Sequence, residues 1–159
     1  MAEKISILMS GLPGKMSTCA AEKIAEQKDM QLYGSALTGD IKEDSAKVKR
    51  GEIFLVKPDK HDEFLIDYTT YSRNNLIIVD FSEPNAVNRN AELFCKHKIP
   101  FVMGTTGGDR KKLEEVVKNS EISAVIAPNM AKQIVALQEF IRSYWYSNSL
   151  EGCSLDIIE

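Results

Sequence analysis

The chain has 159 residues, of which 43% are apolar and 27% charged, proportions that exclude a disordered or fibrous protein and suit one compact core. Its 20 Lys and Arg against 23 Asp and Glu leave a net charge of −3, and the basic residues are scattered, so no positive stripe is offered to nucleic acid. Uninterrupted apolar runs stop at four residues, as in 53–56 and 76–79, far below the ~20 of a membrane-spanning helix, and the N-terminus lacks the apolar stretch of a signal peptide, which gives a cytoplasmic expectation.

Short apolar runs alternate with segments of helical period, the pattern of repeated β-α units on a parallel sheet. Residues 4–10 (KISILMS) read as a first strand; Gly11-Leu12-Pro13-Gly14 forms a turn, and Met16, Cys19/Ala20 and Ile24 mark the inward face of a helix. A second strand is predicted over 30–33, followed by a long exposed loop over 34–51. Residues 53–56 make a short strand ended by Pro58, and Phe64/Leu65, Tyr68 and Tyr71 share one side of the next helix. The run 76–81 (LIIVDF) reads as a strand covered on both faces. Pro84-Asn85 opens a helix with Val87, Ala91 and Phe94 inward, Pro being tolerated in a first turn where its missing N–H would have no partner.

A strand over 100–103, a helix over 109–119 with Leu113, Val116 and Val117 inward, and a strand over 122–127 continue the alternation. Asn129 is placed to cap a helix running to about Tyr146, whose Ile134, Leu137, Ile141 and Tyr144/Trp145 form a core-facing stripe. Residues 147–152 then read as a turn and 154–159 as a last strand. Cys19, Cys95 and Cys153 form no C-x-x-C pair, so neither a disulfide framework nor a metal site is expected. His61 and His97 lie in charged stretches and read as solvated surface residues.

Four turns fall at strand C-terminal ends, where open α/β sheets bind ligands. The first, Gly11 to Gly14, leads from strand to helix and aims backbone N–H groups at its occupant, but it reads G-x-x-G-x-x-S rather than the dinucleotide fingerprint G-x-G-x-x-G. Spacing alone leaves a nucleotide loop and an ordinary β-α turn both open. The others are Asp80-Phe81-Ser82-Glu83-Pro84, Gly104-Thr105-Thr106-Gly107-Gly108 and Ala127-Pro128-Asn129-Met130. Gly104 and Gly107 permit close backbone approach, and Thr105 and Thr106 offer hydroxyl and N–H groups suited to a carboxamide or a sugar.

These segments, quoted as Gly11-Leu12-Pro13-Gly14-Lys15-Met16, Val79-Asp80-Phe81-Ser82-Glu83-Pro84-Asn85-Ala86, Pro100-Phe101-Val102-Met103-Gly104-Thr105-Thr106-Gly107-Gly108-Asp109-Arg110 and Ala127-Pro128-Asn129-Met130-Ala131-Lys132-Gln133, resemble the 4-hydroxy-tetrahydrodipicolinate (dihydrodipicolinate) reductase family, and the third looks like its plant-type branch. The resemblance implies a Rossmann-like doubly wound α/β domain over 1–130 and, over 131–159, the helix and first strand of a truncated substrate and tetramerisation domain. It implies NADPH or NADH as cofactor and hydride transfer to a cyclic dicarboxylate in the diaminopimelate route to lysine. Gly11, Leu12, Pro13, Gly14, Lys15 and Met16 would wrap the diphosphate, with Lys15 as a cation beside it and Thr38 among the contacts. Gly104, Thr105 and Thr106 would face the nicotinamide ribose and carboxamide, Phe81 would pack near the ring, and Ala127, Pro128, Asn129 and Met130 would close that side.

Two departures qualify the resemblance. Ser17 stands where the family's G-x-x-G-[RK]-M-G has its last Gly, so its side chain would crowd the helix or the cofactor. The residues after strand two lack the Glu-Arg pair of many bacterial members: Asp40 would suit ribose hydroxyls and NAD, whereas Lys42 or Lys47 would suit a 2′-phosphate and NADP. The family's His- and Lys-containing substrate segment has no counterpart in the sequence, so no catalytic residue is named and the chain alone is expected to reduce little. A stand-alone dinucleotide-binding module and a non-catalytic interaction domain are the alternatives. A homo-oligomer is consistent with the resemblance, and a plastid stroma is the compartment if a transit peptide has been removed.

Overall fold

Strand β1 (Ile5–Ser10) sets the layering, because its side chains alternate between two cores. The computed structural model describes residues 4–49, 51–71, 75–127 and 129–146. After β1 come α1 (Lys15–Ala25), β2 (Met30–Leu37), β3 (Ser45–Val48), β4 (Gly51–Val56), a 3₁₀ turn at Pro58–Lys60 and α2 (His61–Tyr71). Then follow β5 (Leu76–Asp80), a 3₁₀ turn at Pro84–Ala86, α3 (Val87–Lys96), β6 (Phe101–Met103), α4 (Arg110–Lys118), β7 (Ala124–Ile126) and α5 (Lys132–Tyr146). Among the described residues the strands form one seven-stranded sheet in the order β3-β4-β2-β1-β5-β6-β7. All neighbours are parallel except the β3–β4 hairpin.

The parallel β-α sheet read from the alternation, in the Rossmann-like doubly wound α/β form that the resemblance implies, is the fold observed. Leu8 points into a core with Leu65 and Tyr68 of α2, Val87, Ala91 and Phe94 of α3, and Leu113 of α4. Ile7 and Met9 point the other way, toward Ala21 of α1 and Ile53 and Leu55 of β4. Helices therefore cover both faces, as a mostly parallel sheet requires to bury its two apolar surfaces. The chain clusters into two units, Met1–Pro128 and Asn129–Glu159.

Four expectations are corrected. Strand β2 does not stop at Tyr33: its register against β1 shifts between Ile7/Leu32 and Met9/Ala36, so a bulge absorbs Gly34-Ser35 and the strand runs on to Leu37. The predicted loop over 34–51 thus contains the end of β2 and all of β3, with Ala36, Leu37 and Ala46 in the cores. On α1 Ala20 and Ile24 pack against the core as expected, but the fully buried residues are Ser17 and Ala21, while Met16 is 62% exposed and Cys19 is exposed as well. Small side chains let the helix lie close to the sheet, which a face of Met and Cys would not.

Within the second unit, Ile134, Leu137 and Tyr144 of the expected stripe on α5 are exposed, and so are Val135 and Phe140. The side chains of Tyr71, Trp145 and Tyr146, the predicted turn over 147–152 and the strand over 154–159 lie outside the described residues.

Candidate functional site

Each candidate turn of the first unit starts on the same sheet edge and is locked to its neighbour in the same way. Gly11 donates its N–H to Leu37 O (2.9 Å), Phe81 to Ser10 O (2.9 Å), Gly104 to Asp80 O (2.9 Å) and Ala127 to Met103 O (3.0 Å). The residue after each strand thus continues the ladder by one bond before the chain turns away. Because β1 connects to β2 on one side and lies beside β5 on the other, the strand order reverses at β1, the switch point where open α/β sheets have their ligand crevice.

The first turn is shaped by glycine. Gly11 has φ +104°, and a Cβ there would sit 2.6 Å from the Phe81 carbonyl carbon and 2.8 Å from Ser82 N, so only Gly fits between β1 and the turn after β5. Gly14 donates to Gly11 O (2.9 Å) and leads directly into α1, whose first turn has no side-chain cap and no acidic residue. By contrast α4 is capped by Asp109, whose carboxylate accepts from Lys111 N and Lys112 N. The uncapped N–H groups and exposed Lys15 at the start of α1 suit an anion. Leu12 is buried in the core, so it offers backbone only, and Thr38 donates its hydroxyl to Leu12 O (2.6 Å), tying the turn to the end of β2.

Ser17 is fully buried and donates to Ser10 O (3.3 Å). Its side chain therefore turns toward the sheet, away from the mouth of the turn. The crowding expected there is taken up on the inner face of α1, where Ala21 keeps the helix close.

Asp80, 0% exposed at the end of β5, joins the turns. One carboxylate oxygen, Oδ2, accepts from Ser10 Oγ (2.7 Å) and Asn90 Nδ2 (2.9 Å); the other, Oδ1, accepts from Thr105 Oγ1 (2.6 Å), Ser82 Oγ (2.9 Å) and Ser82 N (3.2 Å). Asn90 also donates to Ser82 Oγ (3.0 Å). Thr105 is consequently buried with its hydroxyl committed inward, whereas Thr106 is exposed. Of the two threonines expected to offer hydroxyl and N–H groups to a ligand, only Thr106 is exposed.

A cavity of about 350 Å³ opens beside these turns, lined by Gly11, Pro13, Gly14, Thr38, Phe81 and Ser82 among others. Its floor includes His61, which is 6% exposed and donates Nε2–H to Val56 O (2.9 Å), while Arg89 of α3 reaches across to Pro58 O (3.1 Å). Burial holds the His61 pKa below the ordinary imidazole value; the bond to Val56 O opposes this and the Arg89 charge adds to it. The expectation of a solvated His61 is thus corrected. His97 is no solvated residue either: its side chain is 6% exposed and bonds Asp62 Oδ1 at 2.7 Å, with Lys96 on the same carboxylate. The hydrogen bonds from Lys96 and, after it, from His97 hold the Asp62 carboxyl below the usual range.

The structure therefore brings Gly11, Leu12, Pro13, Gly14, Thr38 and Phe81 to one cavity, with Gly104 packed on the Phe81 ring, whereas Lys15 and Met16 are exposed in the first turn of α1 and do not line it. Ala127 starts its turn on the same edge; Asn129 and Met130 belong to the second unit, where Asn129 Oδ1 accepts from Ala131 N (3.3 Å), and Pro128 lies outside the described residues. Among the described residues no cluster of His, Cys, Asp and Glu suits a metal ion, and no helix is long and apolar enough to cross a membrane. Sequence reasoning missed Ser10, His61, Asp80, Arg89 and Asn90.

Comparison with known proteins gives one family. Residues 5–130 match the model for the N-terminus of dihydrodipicolinate reductase. The 4-hydroxy-tetrahydrodipicolinate reductase 1, chloroplastic, of Arabidopsis thaliana is 39% identical over 158 residues, covering 98% of this chain and 45% of the relative. The rice (Oryza sativa subsp. japonica) protein named a probable reductase 1 of the same kind is 33% identical over 96% of this chain and 45% of its own length. A reductase of Desulfitobacterium hafniense is 29% identical over 87% of this chain and 52% of its own length. Among solved structures, a dipicolinate-bound dihydrodipicolinate reductase from Paenisporosarcina sp. TG-14 superposes with TM-score 0.66 at 19% identity, over 89% of this chain and 53% of that one. The chain thus spans about half the length of the relatives it matches.

Proposed function

This chain belongs to the dihydrodipicolinate reductase family, whose N-terminal model it matches over residues 5–130, and from that premise we propose that its cavity binds the NADH or NADPH of a 4-hydroxy-tetrahydrodipicolinate reductase. The observation that carries the reading is the cavity at the reversal of strand order, bounded by Gly11–Gly14 backbone on one side and Phe81 on the other. The residues present fit such a cofactor: Gly11 to Gly14 line the cavity, and the uncapped start of α1 with Lys15 offers N–H groups and a cation to a diphosphate.

When bound, the nicotinamide supplies the hydride for reduction of a cyclic, imine-like dicarboxylate of the diaminopimelate route to lysine. The chain's own residues hold and orient: Gly11, Leu12, Pro13, Gly14, Lys15 and Met16 around the diphosphate, Thr38 through Leu12 O, and Phe81 and Gly104 with Thr105 and Thr106 on the nicotinamide side. The family resemblance assigns Ala127, Pro128, Asn129 and Met130 to the closing of that side. Residues 131–159 begin the substrate domain in this reading, and the proton donor is assigned to none of the described residues. Two plant relatives are named chloroplastic, which supports a plastid stroma as the compartment.

Calorimetric titration of the 159-residue chain with NADH and with NADPH tests the reading. Saturable binding of either at or below millimolar concentration is expected, weakened by G11A; no heat at millimolar dinucleotide overturns it. The same pair of titrations ranks the cofactors, with tighter NADH expected if Asp40 meets the ribose and tighter NADPH if Lys42 or Lys47 meets a 2′-phosphate.

A further inference from the structure

We propose that Asp80 is a positioning residue for this site: its buried carboxylate draws in the hydroxyl protons of Ser10, Ser82 and Thr105 and thereby sets the turns at residues 81–83 and 104–106. The inference rests on the dinucleotide reading for what those turns serve, and on hydrogen-bond geometry for how they are set.

An ionised carboxylate only accepts, and in the interior it must be hydrogen-bonded to be tolerated. Asp80 meets this condition with donors from four places: the end of β1 (Ser10), the turn after β5 (Ser82, by both Oγ and N), α3 (Asn90) and the turn after β6 (Thr105). All five donors are neutral, and the side chain is 0% exposed. A tie that served the sheet alone would bind strand residues; here three of the five bonds go to the two turns flanking Phe81 and Gly104. Those bonds also fix polarity. Each of the three hydroxyls has a single proton, and each donates it to Asp80, so Ser82 and Thr105 offer a ligand backbone groups rather than rotating hydroxyls.

An amide cannot accept all five of these bonds. In D80N, an amide nitrogen turned toward Thr105 and Ser82 would confront the Ser82 N–H, donor against donor; turned toward Ser10 and Asn90, it would confront the Asn90 amide. The second conflict has a partial remedy, since N90D puts a carboxylate opposite the new amide that accepts from it, although Ser82 Oγ, with one proton, can then donate to only one of the two side chains. The exchanged pair D80N/N90D therefore restores the bond between the two side chains, with the charge moved from one to its neighbour, but not the whole network.

The test measures amide hydrogen exchange and dinucleotide titration on the full 159-residue chain, comparing wild type with D80N, D80N/N90D and T105V. For D80N we expect exchange at residues 82, 83 and 104–106 to accelerate about tenfold or more, with Leu8 and Ile78 in the sheet unchanged, and the NADH Kd to rise about tenfold. D80N/N90D should recover part of both losses, and T105V should loosen 104–106 while leaving 82–83 protected. Equal acceleration at Leu8 and Ile78 would reduce Asp80 to a general stability residue and overturn the proposal, as would wild-type behaviour of D80N. Should D80N not fold, T105V decides: unchanged exchange at 104–106 overturns the inference. Absence of binding by the wild type removes the dinucleotide reading, and the exchange pattern then decides on its own whether Asp80 sets the turns.

Discussion

Phe81 and Gly104 touch so closely that a Cβ at position 104 would stand 2.9 Å from both Cδ1 and Cζ of the ring, and nearer still to Cε1. The ring and the glycine belong to neighbouring turns, so the contact fixes the spacing between the ends of β5 and β6. G104A forces the ring or the turn to move, an overpacking cost of about 1–3 kcal/mol. In an F81A background the obstacle is gone, and the cost of G104A should fall below ~0.5 kcal/mol. Urea unfolding of the four proteins checks this, and additive costs would refute the coupling.

Gly11 differs from Gly104 because its neighbours cannot yield. A Cβ at position 11 meets the Phe81 carbonyl carbon at 2.6 Å, and φ is +104°, a conformation that L side chains rarely adopt. G11A should therefore cost about 2 kcal/mol or more and weaken dinucleotide binding with it. Gly34 is the control: nothing lies within 4 Å of a Cβ there and its φ is not positive, so G34A should be neutral or stabilise by up to about 1 kcal/mol. Equal effects of the two substitutions would contradict the steric account.

Ser17 bears on whether the departure from the family pattern weakens the site. Its hydroxyl makes one long bond, 3.3 Å to Ser10 O, on the buried side of α1. S17G removes that bond and adds backbone freedom in a helix, together about 1 kcal/mol of stability. The cofactor side of the turn is untouched, so NADH and NADPH affinities should stay within about threefold of wild type. A tenfold gain on S17G would show that the serine does crowd the site.

Most of the fold was legible because period and burial coincide. Val87, Ala91 and Phe94 are the buried face of α3, and Leu76 and Ile78 are buried on β5, as spacing predicts. Failures occur where a polar residue follows the period of its element. Asp80 continues the alternation of Leu76 and Ile78, and His61 stands four and seven residues before Leu65 and Tyr68, on the same face of α2. The charged neighbours Lys60 and Asp62 hid His61, and its own charge hid the burial of Asp80. The end of β2 was hidden differently, since a bulge lets Gly34-Ser35, which read as loop, remain in a strand. The glycine turns were readable as turns, but the closing of Thr38 on Leu12 O and of Thr105 on Asp80 joins residues 26 and 25 apart, which no local pattern contains.

His61 makes stability depend on pH in a definite direction. Burial lowers its pKa in the folded chain, helped by the Arg89 charge and opposed by the bond to Val56 O. In the unfolded chain the imidazole takes up its proton near the ordinary value of about 6.5. Below that pH the unfolded state binds more protons than the folded one, so the contribution of the buried neutral ring is full above the unfolded pKa and declines as pH falls through it. A single proton bounds the slope at about 1.4 kcal/mol per pH unit. H61Q keeps an N–H for Val56 O and removes the titration. Urea unfolding at pH 7.5, 6.5 and 5.5 should therefore show the wild type losing stability relative to H61Q as pH drops, the other titrating groups cancelling in the difference. A difference that stays level, or grows in favour of the wild type at low pH, would mean that His61 is protonated in the folded chain and that the cavity floor carries a positive charge.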